Sequence, residues 1–219
     1  MLLTADAVTP VSLFWFFVFG SVAGVIIEGL WCILYFRRSE SRVGVLYGPF
    51  NQIYGFGTVI LTLAVYAFDA EKWWQIVLLC GIIGGIYEYF CSYIQEKLFG
   101  TVSWDYTGTP TSVNGRTSVI FAAAWGLLGL LWIKVLMPPF INFMGLIPDI
   151  TLNAVTVFML AFFLFDFLIS AAAVSRQLLR KKKIPPQNAL SRFLDSLYPD
   201  SRLKKTYPNM IFLNIGTND

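Results

Sequence analysis

Residues Trp73 to Ile94 read WWQIVLLCGIIGGIYEYFCSYI, and this stretch decides what kind of protein the chain forms. Its one charged residue is Glu88, and at about 1.5 Å per residue such a helix crosses the roughly 30 Å hydrocarbon layer of a membrane. The whole chain agrees, because 57% of its 219 residues are hydrophobic, 13% are charged and mean hydropathy is +0.66. A soluble domain cannot bury that much apolar surface. We therefore predict an integral membrane protein.

Other apolar stretches of similar character lie on both sides of this one. They predict an all-α membrane protein with about five transmembrane helices, in which residues 1–175 form the transmembrane domain and residues 176–219 a basic tail. The second span begins within a segment rich in glycine, and an alternative is that Gly48 to Gly57 dips into the membrane and returns. The predicted spans are Val11 to Phe36, Ile53 to Phe68, Trp73 to Ile94, Ser118 to Met137 and Leu152 to Val174.

Lysine and arginine are distributed unevenly over the connections between these spans. Fourteen fall on one side of the membrane, counting the connectors after the first and third spans and the tail, and two fall on the other side. The positive-inside rule then predicts a multi-pass cell-membrane protein with its N-terminus outside and its C-terminus in the cytoplasm. Both connectors that are rich in glycine would face the cytoplasm.

The composition excludes several kinds of chemistry. The chain has no histidine, so catalytic triads and H-E-x-x-H metal sites are ruled out. Cys32, Cys80 and Cys91 lie within spans at spacings that fit neither a disulfide framework nor a zinc site. No phosphate-loop or dinucleotide-binding motif occurs, so we expect no cofactor, and any ATP use would need a separate subunit.

A weak internal repeat relates the first pair of spans to the second. With an offset of sixty residues, eight of the forty-five positions from Gly20 to Ala64 are identical, which suggests a parallel duplication of a helix pair. The alternative is coincidence between two membrane segments that are both rich in glycine. The identities pair Gly24, Ile26, Glu28, Gly48, Gly55, Val59, Ile60 and Ala64 with Gly84, Ile86, Glu88, Gly108, Gly115, Val119, Ile120 and Ala124.

The repeat superimposes Glu28 on Glu88, and both acids lie well inside a span. An ionised carboxylate that faces lipid is costly, so both should point into the bundle. Each also shares a helical face with glycines that permit close helix contact, namely Gly20 and Gly24 in the first span and Gly81 and Gly85 in the third. Asp166, in the fifth span, is a third candidate.

Two interpretations of these acids stay open. In the structural one, Glu28 or Glu88 pairs with Arg116 or binds backbone amides and fixes the bundle. In the functional one, they line a cytoplasm-facing polar cavity together with Asn51 and Gln52 of the first connector. That cavity would take a cation, a proton or a polar head group; whether a metal binds is left open.

The second connector and the tail carry their own patterns. Asp105 and Arg116 are the charges that we expect to pair across the second connector, which would form either an interfacial loop or a loop closing over a site. In the tail, Arg180 to Lys183 form a basic run of the kind that attracts anionic lipid. Beyond it, Leu190, Phe193, Leu194 and Leu197 predict a short amphipathic helix that lies on the membrane or binds a partner.

Several of these motifs occur in the order found in one bacterial family, and from Phe14 to Pro138 the chain resembles the putative ABC-transporter type IV permeases. The resemblance implies a membrane protein of five to six helices that acts in transport, and it assigns no catalytic role. The chain departs from the family pattern at Val43, Gln52 and Ser112, where Arg, Pro and Asn are usual. The motifs are Glu28, Leu46-Tyr47-Gly48-Pro49, Ile53-Tyr54-Gly55-Phe56-Gly57, Glu88, Glu96-Lys97-Leu98-Phe99-Gly100, Trp104-Asp105-Tyr106, Asn114-Gly115-Arg116 and Trp125-Gly126.

Three functions follow from these observations. The first is a transporter permease whose site candidates are Glu28, Asn51, Gln52, Glu88, Asp105 and Arg116. The alternatives are an intramembrane enzyme that modifies lipid head groups with these carboxylates, and a membrane scaffold that recruits a partner through its tail. A non-enzyme is favoured. The expected partners are membrane lipids and an ATPase subunit in trans, with a homo-oligomer as an open option, and no nucleic acid is expected.

Overall fold

The computed structural model describes residues 8–213 and consists mainly of helices. Four helices are long and apolar enough to cross a membrane, and the shorter helix Gln52–Ala67 is also apolar. The prediction of an all-α membrane protein with about five transmembrane helices is confirmed. In chain order the elements are α1 (Pro10–Phe36), α2 (Gln52–Ala67), α3 (Trp73–Phe99), β1 (Thr101–Val102), α4 (Val119–Leu131), α5 (Met137–Met144), α6 (Asp149–Lys181), α7 (Ala189–Leu197), α8 (Asp200–Thr206) and β2 (Ile211–Phe212).

Local sequence explains most of the helix ends. The side chain of Thr9 accepts a hydrogen bond at the start of α1, whose first residue is Pro10, and Arg37 ends that helix in a left-handed conformation. Asn51 caps α2 in the same way as Thr9 caps α1. Gly100 ends α3 with φ +61°, a conformation that glycine adopts without strain.

The fourth span is longer than predicted and is not one regular helix. Between α4 and α5, residues Trp132 to Leu136 form a π-helical turn that joins the two into one apolar element ending at Met144. Pro138 and Pro139 lie in the first turn of α5, where their missing amide hydrogens leave helical carbonyl groups without the usual donor. The wider turn before them accommodates this irregularity, so the helix continues past the prolines.

Two helical hairpins, α1–α2 and α3–α4, form the centre of the bundle. A side chain at Gly24 would clash with Tyr54 of α2, and one at Gly84 would clash with Trp125 of α4. Gly81 and Gly85 lie against Ala122 in the second hairpin, so the glycine faces predicted from spacing do form the helix contacts.

Trp132, in the π-helical turn between α4 and α5, links the second hairpin to the first. The indole nitrogen of Trp132 donates a hydrogen bond of 2.8 Å to Thr62 of α2. The same ring packs at 5.2 Å on Phe16 of α1.

Both connectors and the tail lie at one end of the bundle, which we name the connector end. The first connector comprises residues 37–51 and the second residues 100–118, while the tail follows α6. β1 of the second connector pairs with β2 of the tail in a two-stranded antiparallel ribbon. The hydroxyl groups of Tyr47, in the first connector, and Tyr198, in the tail, lie 2.8 Å apart. The tail therefore contacts both connectors.

Candidate functional site

Glu28 lies on α1 near the connector end, and its carboxylate is half-buried. The hydroxyl group of Tyr54 donates a hydrogen bond of 2.7 Å to Oε1. The guanidinium of Arg42 lies 4.0 Å from Oε2 and also pairs with Glu40 at 3.4 Å. Arg42 further donates to the sulfur of buried Cys32 at 3.2 Å. Glu28 is thus bound by a phenol on one side and faces a shared cation on the other.

Glu88 lies on α3, and only 7% of the residue is exposed. The hydroxyl of Tyr106, from the second connector, donates a hydrogen bond of 3.1 Å to Oε1. Burial and the neighbouring carboxylate raise the pKa of Tyr106 well above its usual range, so this phenol keeps its proton and acts as a donor. Within residues 8–213, Oε2 of Glu88 makes no hydrogen bond of standard geometry, and the side chains of Thr117 and Trp125 are its polar neighbours.

The two acids face the same region of the bundle. Glu28 and Glu88 are close enough for their charges to interact, and the Tyr54 hydroxyl lies within the electrostatic influence of Glu88 and Tyr106 as well as Glu28. The ring of Tyr54 stacks on Trp125 at 5.5 Å. We name Glu28, Tyr54, Glu88 and Tyr106 the polar site. It combines one carboxylate–phenol pair from each hairpin.

Aromatic packing also positions the tyrosines around the polar site. Tyr106 stacks on Phe121 with ring centroids 3.8 Å apart, which holds the second connector over α4. Tyr87 of α3 packs edge-on against Trp125, and its hydroxyl donates a hydrogen bond of 2.8 Å to the backbone carbonyl of Ile53. This last bond ties the start of α2 to α3. Trp125 therefore packs on the rings of both Tyr54 and Tyr87, and its indole also lies close to the Glu88 carboxylate.

Asn51 and Gln52 shape the first connector. The side chain of Asn51 accepts from the amide of Ile53 at 3.1 Å and donates to the carbonyl of Arg42 at 3.0 Å. Gln52 donates to the carbonyl of Gly44 at 3.1 Å, while its own side-chain oxygen is buried and makes no hydrogen bond to the described residues. The hydrogen bonds of both amides join the first connector to the first turn of α2, and none of them goes to Glu28 or Glu88.

Asp166 binds the same connector from the other side. This fully buried carboxylate of α6 accepts hydrogen bonds from the backbone amides of Leu46 and Tyr47 at 3.0 to 3.1 Å and from the hydroxyl of Ser170. Phe50 packs at 4.5 Å on Phe163 beside it. The first connector is therefore docked on α6.

The expected pairing of Asp105 with Arg116 does not form. Asp105 is exposed and accepts hydrogen bonds from the hydroxyl and the amide of Thr107, which lower its pKa. The guanidinium of Arg116 instead pairs with Glu96 of α3 and lies over the rings of Tyr89 and Tyr93. Arg116 pairs with Glu96 and not with Asp105 because α3 presents an acid and two aromatic faces to it. The Asp105 carboxylate is held within its own turn.

A cavity of about 50 Å³ lies between α1, α2 and α4–α5, and it is not the polar cavity that the sequence predicts. Its lining is mostly apolar and includes Tyr54, but neither Glu28 nor Glu88 lines it. Among residues 8–213, no group of three or more histidine, cysteine, aspartate or glutamate side chains could hold a metal ion.

Sequence reasoning missed the two phenols of the polar site. Tyr54 and Tyr106 stand out in the sequence only as parts of the motifs that carry the family resemblance. The available signal was a tyrosine near the turn of each hairpin, Tyr54 in the first turn of α2 and Tyr106 in the second connector. A phenol buried there needs a hydrogen-bond acceptor, and the two carboxylates are the nearest strong ones.

Comparison with known proteins confirms the resemblance seen in the motifs. A family model described as "Putative ABC-transporter type IV" matches residues 15–171. The match runs from α1 into α6 and includes all four residues of the polar site. No curated protein and no solved structure matches the chain.

Proposed function

We propose that this chain, which belongs to the putative ABC-transporter type IV family, is the permease component of a transport system and binds its substrate at the polar site. The observation that carries the proposal is Glu88, a carboxylate in a membrane-spanning helix with one oxygen lacking any hydrogen bond to the described chain. A charged group inside a membrane protein is costly unless it is paired. Such a group is retained when a ligand completes its surroundings.

The chemistry of the polar site favours a solute that carries positive charge. Its groups are two carboxylates, which accept hydrogen bonds, and two phenols, which already donate to them. Arg42, which lies 4.0 Å from the Glu28 carboxylate, is shared with Glu40. An ammonium group would satisfy the free oxygen by a charge-assisted hydrogen bond.

Orientation and energy source complete the proposal. The distribution of basic residues favours a cytoplasmic location for the connector end, and in this orientation the polar site would open to that side. Because the sequence contains no phosphate-loop motif, ATP hydrolysis would come from a separate subunit that binds the cytoplasmic surface of the bundle.

Ligand-induced stabilisation of the purified protein tests the substrate class. The thermal midpoint of the protein in lipid nanodiscs is measured with Na⁺, K⁺, Mg²⁺, choline and spermidine, against glutamate and sulfate as anionic controls. We expect at least one cation to raise the midpoint, because a ligand that binds the folded state stabilises it. Glu88→Gln should abolish this shift, whereas Asp149→Asn, at the opposite end of the bundle, should retain it.

Two results would contradict the proposal. One is a shift produced by anions and not by cations. The other is a cation shift of unchanged size in both Glu88→Gln and Glu28→Gln. The role in transport is tested separately, by asking whether ATP hydrolysis by an ATPase subunit purified with the chain falls in the Glu88→Gln variant.

A further inference from the structure

Helix α7 of the tail is fixed beside α6 at the height where α6 leaves the apolar layer. The apolar part of α6 ends near Val174, and buried Leu194 of α7 packs in one cluster with Ala173. One turn further along α6, Arg176 donates two hydrogen bonds of 2.8 Å to the carboxylate of Asp195. Because Arg176 is only 5% exposed, this paired contact fixes the position of α7 along α6.

A second face of α7 is apolar and has no protein partner among the described residues. Leu190 is 61% exposed, Phe193 53% and Leu197 38%, and their spacing places them on one stripe of the helix. Arg192 and Ser196 are exposed on another side of the same helix. The helix therefore presents one face to α6, one apolar face outward, and one polar face.

Basic residues lie close to α7 along the chain. Lys181 is the last residue of α6 and Lys182 and Lys183 follow it; all three are exposed, and the ammonium of Lys181 lies 5.9 Å from the ring centroid of Phe212. Arg180, which precedes them, is instead bound to Asp195 and Asp200 of the tail. The three lysines thus remain as a positive group at the height of the membrane surface.

We propose that α7 lies in the head-group layer of the membrane, where Leu190, Phe193 and Leu197 insert between lipid chains and Lys181 to Lys183 bind anionic head groups. The surface that it fits is an anionic lipid leaflet, because apolar insertion and positive charge occur together at one height. The paired Arg176 and Asp195 orient the helix, so that its apolar face is directed at lipid before any lipid binds.

Spin labels on the full chain in vesicles test this placement. Nitroxides are attached to Phe193→Cys and, as a matched control three residues along the helix, to Ser196→Cys, and the wild-type protein treated in the same way gives the background from native cysteines. Both positions are exposed, so the labels leave the packing against α6 intact. Depth is measured from the accessibility of each label to oxygen and to a water-soluble nickel chelate.

In vesicles of phosphatidylcholine with phosphatidylglycerol, the label at 193 should lie about 5–10 Å below the head groups, whereas the label at 196 should be accessible to the chelate. Removing phosphatidylglycerol should make the label at 193 shallower, and a variant combining Lys181→Gln, Lys182→Gln and Lys183→Gln should lose that dependence. Equal water accessibility at 193 and 196 would overturn the proposal. Protection at 193 that disappears when the protein is diluted in excess lipid would also overturn it, since a second copy would then be the partner.

Discussion

Asp166 and Glu88 are both buried carboxylates of membrane-spanning helices, and their surroundings differ. Asp166 accepts hydrogen bonds from two backbone amides and a serine hydroxyl, which fix the first connector on α6. Glu88 accepts a hydrogen bond of 3.1 Å from Tyr106, and its second oxygen accepts none from residues 8–213. Burial alone therefore does not identify a functional acid. The number of bonds that the carboxylate already makes separates a structural role from a binding role.

The largest loss of stability should follow from removing Asp166, the acid whose carboxylate oxygens both accept hydrogen bonds. Asp166→Ala strands the amide of Tyr47, while the amide of Leu46 keeps its second acceptor, Ser170, at 2.8 Å. A stranded amide costs about 1–3 kcal/mol and the lost bonds to Leu46 and Ser170 add to it, so we expect the free energy of unfolding in detergent micelles to fall by about 2–3 kcal/mol. Asp149→Ala, which removes an exposed acid, should change it by less than about 0.5 kcal/mol. If Asp166→Ala were as stable as the wild type, the structural role of this acid would be wrong.

A similar loss, confined to the tail, should follow from Arg176→Ala. This change removes two charged hydrogen bonds to Asp195, which are worth about 1.5–3 kcal/mol each in a favourable case. Hydrogen exchange should increase in residues 189–213 and stay unchanged in α1 to α4. Arg192→Ala, a substitution of an exposed arginine on the same tail, serves as the control. If hydrogen exchange in residues 189–213 were the same in Arg176→Ala as in Arg192→Ala, the ion pair would not be what holds α7 in place.

The hydrogen bonds that the two phenols of the polar site donate should contribute unequally to the free energy of unfolding. Tyr54→Phe removes a bond of 2.7 Å to Glu28, and Tyr106→Phe removes one of 3.1 Å to Glu88. We expect Tyr54→Phe to lower the free energy of unfolding by about 1–2 kcal/mol and Tyr106→Phe to lower it by less. Chemical denaturation of both variants under one set of conditions measures the difference. The reverse order would mean that Glu88 is held more firmly than its contacts indicate.

Acid should weaken the attachment of the tail to α6. Hydrogen bonds from Arg176 and Arg180 lower the pKa of Asp195 below its ordinary 3.8. A depressed pKa gives stability that is fully present above pH 3.8 and is lost as the pH falls below that value toward the folded-state pKa. Protease cleavage between α6 and α7 should therefore increase in that range, and Asp195→Asn should remove the pH dependence. Cleavage that rose equally in this variant would point to a different acid.

Sequence patterns predicted the parts of the fold that depend on neighbouring residues. Hydropathy located the spans, and the spacing of Gly81, Gly85 and Glu88 predicted a helix face that does pack on α4. The extension of α6 to Lys181 was missed because its last turns are polar and continue beyond the apolar window.

Contacts between distant parts of the chain left no comparable signal. Nothing periodic connects Leu46 with Asp166, or β1 with β2 more than a hundred residues later. Arg116 was assigned to the wrong acid for the same reason, because Asp105 is nearer in sequence and Glu96 is the acid that α3 presents to it. The free oxygen of Glu88 is likewise a property of three-dimensional packing, and only the presence of an acid inside a span could be predicted.

The most direct measurement compares Glu88→Gln with Asp166→Asn in the same micelles, without added solute and then with the cation that stabilises the wild type most. Glu88→Gln should change the free energy of unfolding by less than about 1 kcal/mol, because the substitution breaks few bonds, and should lose the response to the cation. Asp166→Asn should lower the stability by about 2 kcal/mol, because its amide nitrogen cannot accept from a backbone amide, and should keep the response. Equal destabilisation by the two variants, with the cation response intact in both, would contradict the assignment of Glu88 to binding and Asp166 to structure.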